Sequence, residues 1–183
     1  VAEGQGGSTN AMTTGFGDAA IVADRKKNRL LVMMVCGRTV CWNGRWTPEK
    51  SLTDDAVNRV ARLYATYDKA HKKWVWSQPE EVTNSIYNLF LDENGNPTVS
   101  SLFIGSGKIC QSRVVKKGRY YRLYCSMWTR DEGNRVIYSD DFGGSWQVLG
   151  KVADRPAPYG DEPKIEELPD GTVVLSSRKG AGR

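Results

Sequence analysis

The sequence predicts an all-β fold of short strands, and three observations support that prediction. Short apolar runs recur along the 183 residues and are separated by turn residues. Glycine is frequent at 19 residues, and aromatic residues make up 10% of the chain, which suits strands joined by tight turns. Helical periodicity is weak throughout, so we expect a sandwich, a barrel or a propeller.

The predicted strands follow one another at regular spacing. They are Ala20–Ala23, Leu30–Val35, Arg62–Tyr67, Ser101–Ile104, Arg113–Val115, Tyr120–Met127, Arg135–Ser139, Trp146–Leu149, Lys164–Leu168 and Thr172–Ser177. The last two flank Pro169-Asp170-Gly171, where Asp-Gly tolerates the positive φ of a tight hairpin. One short helix is predicted at Thr53–Val60, because Thr53 could cap it and two aspartates follow.

Two segments indicate an internal repeat. Arg62-Leu63-Tyr64-Ala65 is followed by Asp68 and Trp74. Arg135-Val136-Ile137-Tyr138-Ser139 is followed by Asp141 and Trp146, although the first copy carries extra residues and lacks the glycine. Because a repeated unit is the signature of a repeat architecture, this similarity favours a propeller among the all-β folds.

Length and charge limit the functions to consider. The chain is long enough for one domain with a substantial core, and no stretch approaches the 18 apolar residues of a membrane span. The net charge is +5, but the basic residues form small clusters beside turns, as at Lys72-Lys73 and Lys116-Lys117. No nucleic-acid motif accompanies these clusters, so we expect solvated turn charges and no nucleic-acid partner. The alternative, a basic nucleic-acid-binding domain, predicts an affinity that falls steeply with salt.

The four cysteines do not indicate a metal site. Cys36 and Cys41 are separated by four residues, and Cys110 and Cys125 form no second metal-type pair. A tetrahedral zinc site is therefore not expected. A Cys–His nucleophile would need His71, which lies in the charged turn Asp68–Lys73, so we expect buried free thiols.

The segment Ser139–Trp146 carries the most specific local pattern. It reads Ser-Asp-Asp-Phe-Gly-Gly-Ser-Trp and fits Ser-x-Asp-x-Gly-x-x-Trp at every position. We predict that Asp141 accepts backbone N–H bonds in a hairpin turn, that Gly143 adopts positive φ and that Trp146 packs over the strand pair. This pattern, the Asp box, occurs in sialidases and in several unrelated propellers, so it indicates fold and carries no chemistry.

Further segments resemble bacterial sialidases in the same order along the chain. Glu162–Gly171 followed by Arg178 is similar to their central segment, and Gly17–Asp24 is similar to the segment where an aspartate enters the sugar pocket. Gly105–Gly107 with Gln111–Arg113 adds to the likeness. The chain thus resembles exo-α-sialidases of glycoside hydrolase family 33. The resemblance implies that residues 1–183 are part of one catalytic six-bladed β-propeller, of which they form roughly three blades.

The resemblance implies retaining hydrolysis of terminal α-linked sialic acid. A carboxylate nucleophile would be repelled by the substrate's own carboxylate, and sialidases instead use a tyrosine with a glutamate as its base. Glu162 matches that glutamate, although an exposed turn carboxylate before Pro163 is the alternative. Three arginines hold the substrate carboxylate in the family, and Arg178 matches the middle one. The alternative for Arg178 is a surface arginine at a strand end or a salt bridge with a nearby carboxylate. Glu166 and Glu167 alternate along one strand and are expected to be framework residues.

Three more residues are candidates for substrate binding. Asp18 would contact the amide or hydroxyl side of the sugar, although an ordinary turn aspartate is the alternative. Gln111 would lie in the pocket. Trp46 is in an aromatic loop that could line an N-acetyl or glycerol pocket, although core packing suits it equally.

The resemblance also implies partners. The substrates are sialylated glycans, no metal or organic cofactor is needed, and the location is periplasmic or secreted. The acid/base aspartate, the nucleophilic tyrosine and two arginines have no matching position, so we expect the remainder of a larger catalytic domain to supply them. The start at Val1 shows neither a signal peptide nor a Met, which is expected of a processed or partial chain. The alternative is a non-catalytic Asp-box propeller that binds glycan or protein.

Overall fold

The computed structural model describes residues 15–37, 45–48, 58–150 and 160–179, and these residues are nearly all in strands and turns. The strands are β1 Gly15–Ala23, β2 Arg29–Gly37, β3 Arg59–Asp68, β4 Lys73–Trp76, β5 Glu80–Glu81, β6 Leu102–Ile104, β7 Gly107–Lys108, β8 Cys110–Lys117, β9 Tyr120–Thr129, β10 Gly133–Ser139, β11 Gln147–Val148, β12 Gly160–Glu167 and β13 Val173–Lys179. A short helix, α1, spans Thr83–Tyr87, and a 3₁₀ turn follows at Asn88–Phe90.

The strands form three separate sheets in chain order. The first sheet runs β4-β3-β2-β1-β7, with β5 also paired to β3. The second runs β11-β10-β9-β6, with β8 also paired to β9, and the third is the hairpin β12-β13. Successive small sheets of neighbouring antiparallel strands are the pattern of propeller blades, so the predicted partial propeller of roughly three blades is confirmed.

Each of the ten predicted runs overlaps a strand. The largest differences are at β1 and β12, which begin at Gly15 and Gly160 rather than at Ala20 and Lys164. Both strands contain an irregularity that breaks the alternation of side chains, so the residues before it do not read as strand. The structure thereby places Asp18 and Glu162 inside strands rather than in the turns before them.

The predicted helix Thr53–Val60 is not present in the part of that segment that the structure describes. Residues 53–57 of the predicted helix lie outside the described residues, and Arg59 and Val60 begin β3 instead. Helix α1 was not predicted, because it is too short to show a 3.6-residue period. Its residues Ile86 and Tyr87 are buried, as is Phe90 of the 3₁₀ turn, so packing holds this segment.

The main core lies between the first and second sheets. Leu31 and Met33 of β2 contribute from one side, and Leu123 and Met127 of β9 contribute from the other. Ile86 and Tyr87 of α1 belong to the same core. Burial of these side chains is the principal stabilising term, since each fully buried aliphatic side chain contributes about 1.5–3 kcal/mol.

The turn Ser139–Trp146 has the predicted geometry and joins the two sheets. Oδ1 of Asp141 accepts the backbone N–H of Ser145 at 2.8 Å, Gly143 has φ +84°, and Trp146 is buried. Nη1 of Arg62, on β3 of the first sheet, donates to the carbonyls of Gly143 at 2.5 Å and Gly144 at 2.8 Å. A turn of the second sheet is therefore bonded directly to the first.

The second and third sheets approach each other closely at Gly105. A Cβ there would lie 2.5 Å from the carbonyl oxygen of Pro163 and 2.4 Å from Oγ of Ser126. The same Ser126 hydroxyl donates to the Pro163 carbonyl at 3.0 Å. Glycine thus permits the backbone contact that seats β12 beside β9.

We predict that Gly105→Ala destabilises the protein by about 1–3 kcal/mol, because the added methyl meets backbone atoms that cannot rotate away. Chemical denaturation of the folded protein measures this loss. Asn94→Ala, in the exposed loop that follows the 3₁₀ turn, is the control and should change stability by less than about 0.5 kcal/mol. An unfolding free energy of Gly105→Ala equal to that of the control would contradict the close approach.

Candidate functional site

Strand β1 carries a two-for-one bulge where it pairs with β2. Gly17 lies opposite Val35 and Ala20 lies opposite Met33, so Asp18 and Ala19 together face the single residue between those partners. A bulge leaves the extra residue unpaired and turns its side chain away from the regular alternation. The bulge therefore determines where the Asp18 carboxylate points.

Strand β12 carries the same irregularity against β13. Asp161 lies opposite Arg178 and Lys164 lies opposite Ser176, so Glu162 and Pro163 face one residue. Asp18 and Glu162 therefore occupy equivalent positions on the first strands of the first and third sheets. Sequence patterns did not show this equivalence, because Gly17–Ala20 and Asp161–Lys164 have no identical residue at any of their four positions.

Asp18 and Glu162 also share an unusual backbone conformation. Asp18 has φ +46° and Glu162 has φ +44°, in the left-handed region that non-glycine residues seldom adopt. Such a conformation costs about 1–2 kcal/mol for a residue with a Cβ. Strain of this kind is concentrated at functional sites, where the surrounding structure holds a side chain in a required position.

The structure brings Glu162 and Arg178 into direct contact. Nε of Arg178 lies 3.1 Å from Oε2 of Glu162, and its Nη2 donates to Oδ2 of Asp161 at 2.7 Å. The guanidinium side chain is 60% exposed, and Glu162 is 53% exposed. An acidic pair and an arginine thus form an accessible cluster at the bulge of β12.

The guanidinium of Arg178 keeps donors for a further ligand. Its Nε and one Nη2 hydrogen point to the two carboxylates, which leaves both Nη1 hydrogens and the second Nη2 hydrogen. Within the described part of the chain, these three hydrogens contact no acceptor. The outer edge of the guanidinium is therefore available to bind a carboxylate through two parallel hydrogen bonds.

Asp18 lies near this cluster. Desolvation by the surrounding protein raises the pKa of its carboxyl group, and the nearby positive charge of Lys164 partly offsets the increase. The negative charges of Glu162 and Asp161 raise the pKa further. The first and third sheets therefore place their bulged carboxylates within electrostatic reach of each other.

Lys164 ties the cluster to the second sheet. Its Nζ donates to the carbonyl oxygen of Ser106 and lies 3.2 Å from the Ser106 hydroxyl. Ser106 belongs to the turn between β6 and β7, and β7 in turn pairs with β1. All three sheets thus contribute to the surroundings of Asp18, Glu162 and Arg178.

The other two predicted site residues have different partners. Gln111 is buried, its Oε1 accepts the backbone N–H of Arg25 at 3.0 Å, and its Nε2 donates to Asp24 at 3.3 Å. Trp46 is only 2% exposed, and its ring stacks on Tyr87 with centroids 5.0 Å apart. In the described residues, Gln111 braces the β1–β2 turn and Trp46 packs in the core.

Glu166 and Glu167 are framework residues, as expected from their alternation. Glu167 is buried and accepts from Oγ of Ser112 and the backbone N–H of Arg113, both at 2.5 Å. Glu166 is exposed on the opposite side and pairs with Lys108. Both carboxylates therefore bind strand β8 or β7, away from Arg178.

Among the described residues, the cysteines and the histidine do not form a second site, and Cys41 lies outside those residues. Cys36, Cys110 and Cys125 are free thiols, and burial raises the pKa of Cys125 to about 12. His71 is exposed in the β3–β4 turn, where its Nδ1 lies 2.7 Å from Oδ2 of Asp68. Among the described residues, no group of three or more potential ligands could hold a metal ion, and no helix could cross a bilayer.

Comparison with known proteins supports the fold. No family model matches the chain. It is similar to the solved structures of a Hadza microbial sialidase, Hz136 (TM-score 0.66, 19% identity), and of Trypanosoma rangeli sialidase in complex with sialic acid (TM-score 0.61, 17% identity). It is also similar to a NanB sialidase variant from Streptococcus pneumoniae (TM-score 0.59, 12% identity). These matches cover 93%, 96% and 92% of this chain but only 30%, 26% and 36% of those proteins.

The positive φ of Glu162 leads to a prediction about stability. Glu162→Gly should be more stable than Glu162→Ala by about 1 kcal/mol, because glycine adopts this conformation without strain. Both variants lose the same ion pair, so their difference isolates the backbone. Thermal and chemical denaturation of the two variants measure it.

Lys164, two residues along β12, provides the matched control, because its φ is not positive. There the order should reverse, with Lys164→Gly less stable than Lys164→Ala by about 0.5–1 kcal/mol. If glycine were less stable than alanine at both positions, the strained conformation of Glu162 would be wrong.

The raised pKa of Asp18 predicts how stability depends on pH. The native state binds the Asp18 proton more tightly than the unfolded state, so this carboxyl group makes the protein less stable as the pH rises toward its native pKa. The unfolding free energy of Asp18→Asn relative to the parent should therefore increase between about pH 3 and pH 7. Denaturant titrations at several pH values measure this difference.

Asp92 is the control with the opposite sign. Hydrogen bonds, first from the backbone N–H of Asn96, lower the pKa of Asp92, so its contribution is present at neutral pH and is lost as the pH falls through that lowered value. Asp92→Asn should lose stability relative to the parent over the same rise in pH. Parallel trends for Asp18→Asn and Asp92→Asn would contradict the environment of Asp18.

Proposed function

We propose that this chain forms part of the catalytic domain of an exo-sialidase that releases terminal sialic acid from glycans. The observation that carries the proposal is the exposed contact between Glu162 and Arg178 at a strained bulge, with Asp18 at the equivalent bulge of another sheet. The sialidase-like fold supports it, since neighbouring structures include a sialidase bound to sialic acid. The chain spans only about a quarter to a third of those proteins. That further residues complete the catalytic domain is therefore part of the proposal.

Arg178 is proposed to bind the carboxylate of the sugar. Its outer edge offers two parallel donors, the geometry that matches a carboxylate best. The two acidic side chains on the other edge hold the guanidinium plane in place. Two further arginines, supplied by the rest of the domain, would complete the binding of this negative charge.

Glu162 is proposed to act as the base for a tyrosine nucleophile. The substrate carboxylate is attached to the reacting carbon, so a neutral phenol approaches that carbon with less repulsion than a carboxylate would. A phenol of pKa about 10 is mostly protonated at neutral pH, and Glu162 would take its proton as the oxygen attacks. The tyrosine and the acid that protonates the departing glycan would come from the rest of the domain.

Asp18 is proposed to contact the amide or hydroxyl side of the sugar. It is exposed, its backbone is held by the bulge, and it lies within electrostatic reach of Glu162. Sialylated glycans are the proposed substrates, and a periplasmic or secreted location would bring the enzyme to them. The phenol oxygen would replace the glycan on the reacting carbon, and water would then release the sugar from the tyrosine. No cofactor is proposed for these steps, because side chains and water supply the nucleophiles and move the protons.

The test is cleavage of a fluorogenic sialoside by the gene product that carries this chain, measured as release of the fluorophore. Glu162→Ala should lower kcat by about 10²–10⁴-fold, the range for losing a general base. Glu166→Ala is the matched control, because Glu166 lies on the same strand and its side chain is equally exposed at 53%. It should leave kcat within about twofold of the parent.

The remaining outcomes contradict one part of the proposal or all of it. Loss of activity in Glu166→Ala with Glu162→Ala unimpaired would mean that the base is wrongly assigned. A folded parent that releases nothing from any sialoside linkage would exclude the enzyme, and binding of glycan or protein by a non-catalytic propeller would replace it.

A further inference from the structure

One carboxylate touches both proposed site residues of β12 and β13. Oδ1 of Asp161 accepts the backbone N–H of Glu162 at 2.9 Å, and its Oδ2 accepts from Nη2 of Arg178 at 2.7 Å. We propose that Asp161 is a positioning residue, which holds the Glu162 backbone in its left-handed conformation and fixes the direction of the Arg178 guanidinium. This inference rests on the proposed sialidase function.

The bond from the Glu162 N–H to Asp161 lies where the hydrogen-bond ladder between β12 and β13 is interrupted. Pairing of β12 with β13 skips from Asp161 to Lys164, so the backbone N–H of Glu162 has no partner strand at its level. The Asp161 carboxylate supplies the acceptor in place of the ladder. An acidic side chain bonded to the next backbone N–H stabilises the local turn in the backbone and competes with an extended conformation.

The second bond acts on a long, exposed side chain. Arg178 is 60% exposed and would otherwise sample many rotamers. A single exposed ion pair holds such a side chain weakly. Here Asp161 and Glu162 bind adjacent donors of one edge, and Asp161 lies directly opposite Arg178 in the strand pair. The two acids together bind one edge of the guanidinium and, among the described residues, leave its outer edge for a ligand.

The bulge of β1 lacks the aspartate that, at the bulge of β12, contacts both the Glu162 backbone and Arg178. Gly17 occupies the position equivalent to Asp161, immediately before the residue with positive φ. Glycine has no side chain that could accept from the Asp18 N–H or bind an arginine. The bulge fold itself therefore does not require an aspartate, and Asp161 serves the side chains around it.

Steady-state kinetics of three variants test the proposal. Asp161→Ala removes both bonds and should lower kcat by about 10²-fold, since a misplaced group costs that much, and raise KM as well. Asp161→Asn keeps an oxygen for the Glu162 N–H but loses the charge toward Arg178. It should raise KM by about tenfold, because a charge-assisted hydrogen bond is lost, and keep most of kcat.

Asp140→Ala is the matched control. Asp140 binds Arg122 through two hydrogen bonds of 2.7 and 2.8 Å, and its exposed fraction of 29% is close to the 34% of Asp161. The Asp140→Ala variant removes a similar ion pair, with Arg122, outside the candidate site. Its kcat and KM should therefore stay within about twofold of the parent. Kinetic constants of Asp161→Ala equal to those of Asp140→Ala would overturn the proposal. A lower Tm with unchanged kcat and KM would also overturn it.

A structural readout separates this inference from the proposed function. If the parent cleaves no sialoside, the enzyme proposal fails, and crystal structures of the parent and of Asp161→Ala decide the role of Asp161. We expect Glu162 to leave the positive-φ region or Arg178 to change rotamer in the variant. Unchanged positions of both residues would overturn the positioning role.

Discussion

The relative placement of the three sheets depends on burial of one face of each sheet against the next. Leu31 and Met33 of the first sheet and Leu123 and Met127 of the second form a common core, and the turn Ser139–Trp146 is bonded across it by Arg62. Between the second and third sheets, Gly105 lets the backbones meet directly. These contacts determine how the first strands of successive sheets lie relative to one another.

The candidate site follows from that placement. Strands β1 and β12 each carry a bulge at the same position, and each bulge turns one carboxylate out of the regular alternation. Strain at Asp18 and Glu162 is tolerated because the sheets on which they lie are held by packing elsewhere. Stability is thus provided by the core, while the exposed residues at the two bulges form the candidate site. A rigid scaffold with a strained site is a common division of roles in enzymes.

The sequence predicted the strands well because their alternation and turn residues are local signals. It also matched Glu162, Arg178 and Asp18 to a family pattern and left core packing open for Trp46, but it did not indicate which residues Gln111 and Trp46 contact. Their partners, Arg25 and Tyr87, are 86 and 41 residues away, so no local pattern could indicate them. The bulges were missed for a related reason, since a bulge is defined by its partner strand and not by its own residues. Asp161 was overlooked because its importance lies in two contacts, one of them across the hairpin.

A crystal structure of the Glu162→Gln protein with bound sialic acid tests the central claim most directly. The claim is that the bulges of two sheets and the outer edge of Arg178 form one sugar-binding site. The account predicts that the sugar carboxylate accepts two hydrogen bonds from Arg178, with Asp18 on the amide or hydroxyl side of the ring. Sialic acid bound at another surface, with Arg178 still contacting only Asp161 and residue 162, would contradict it.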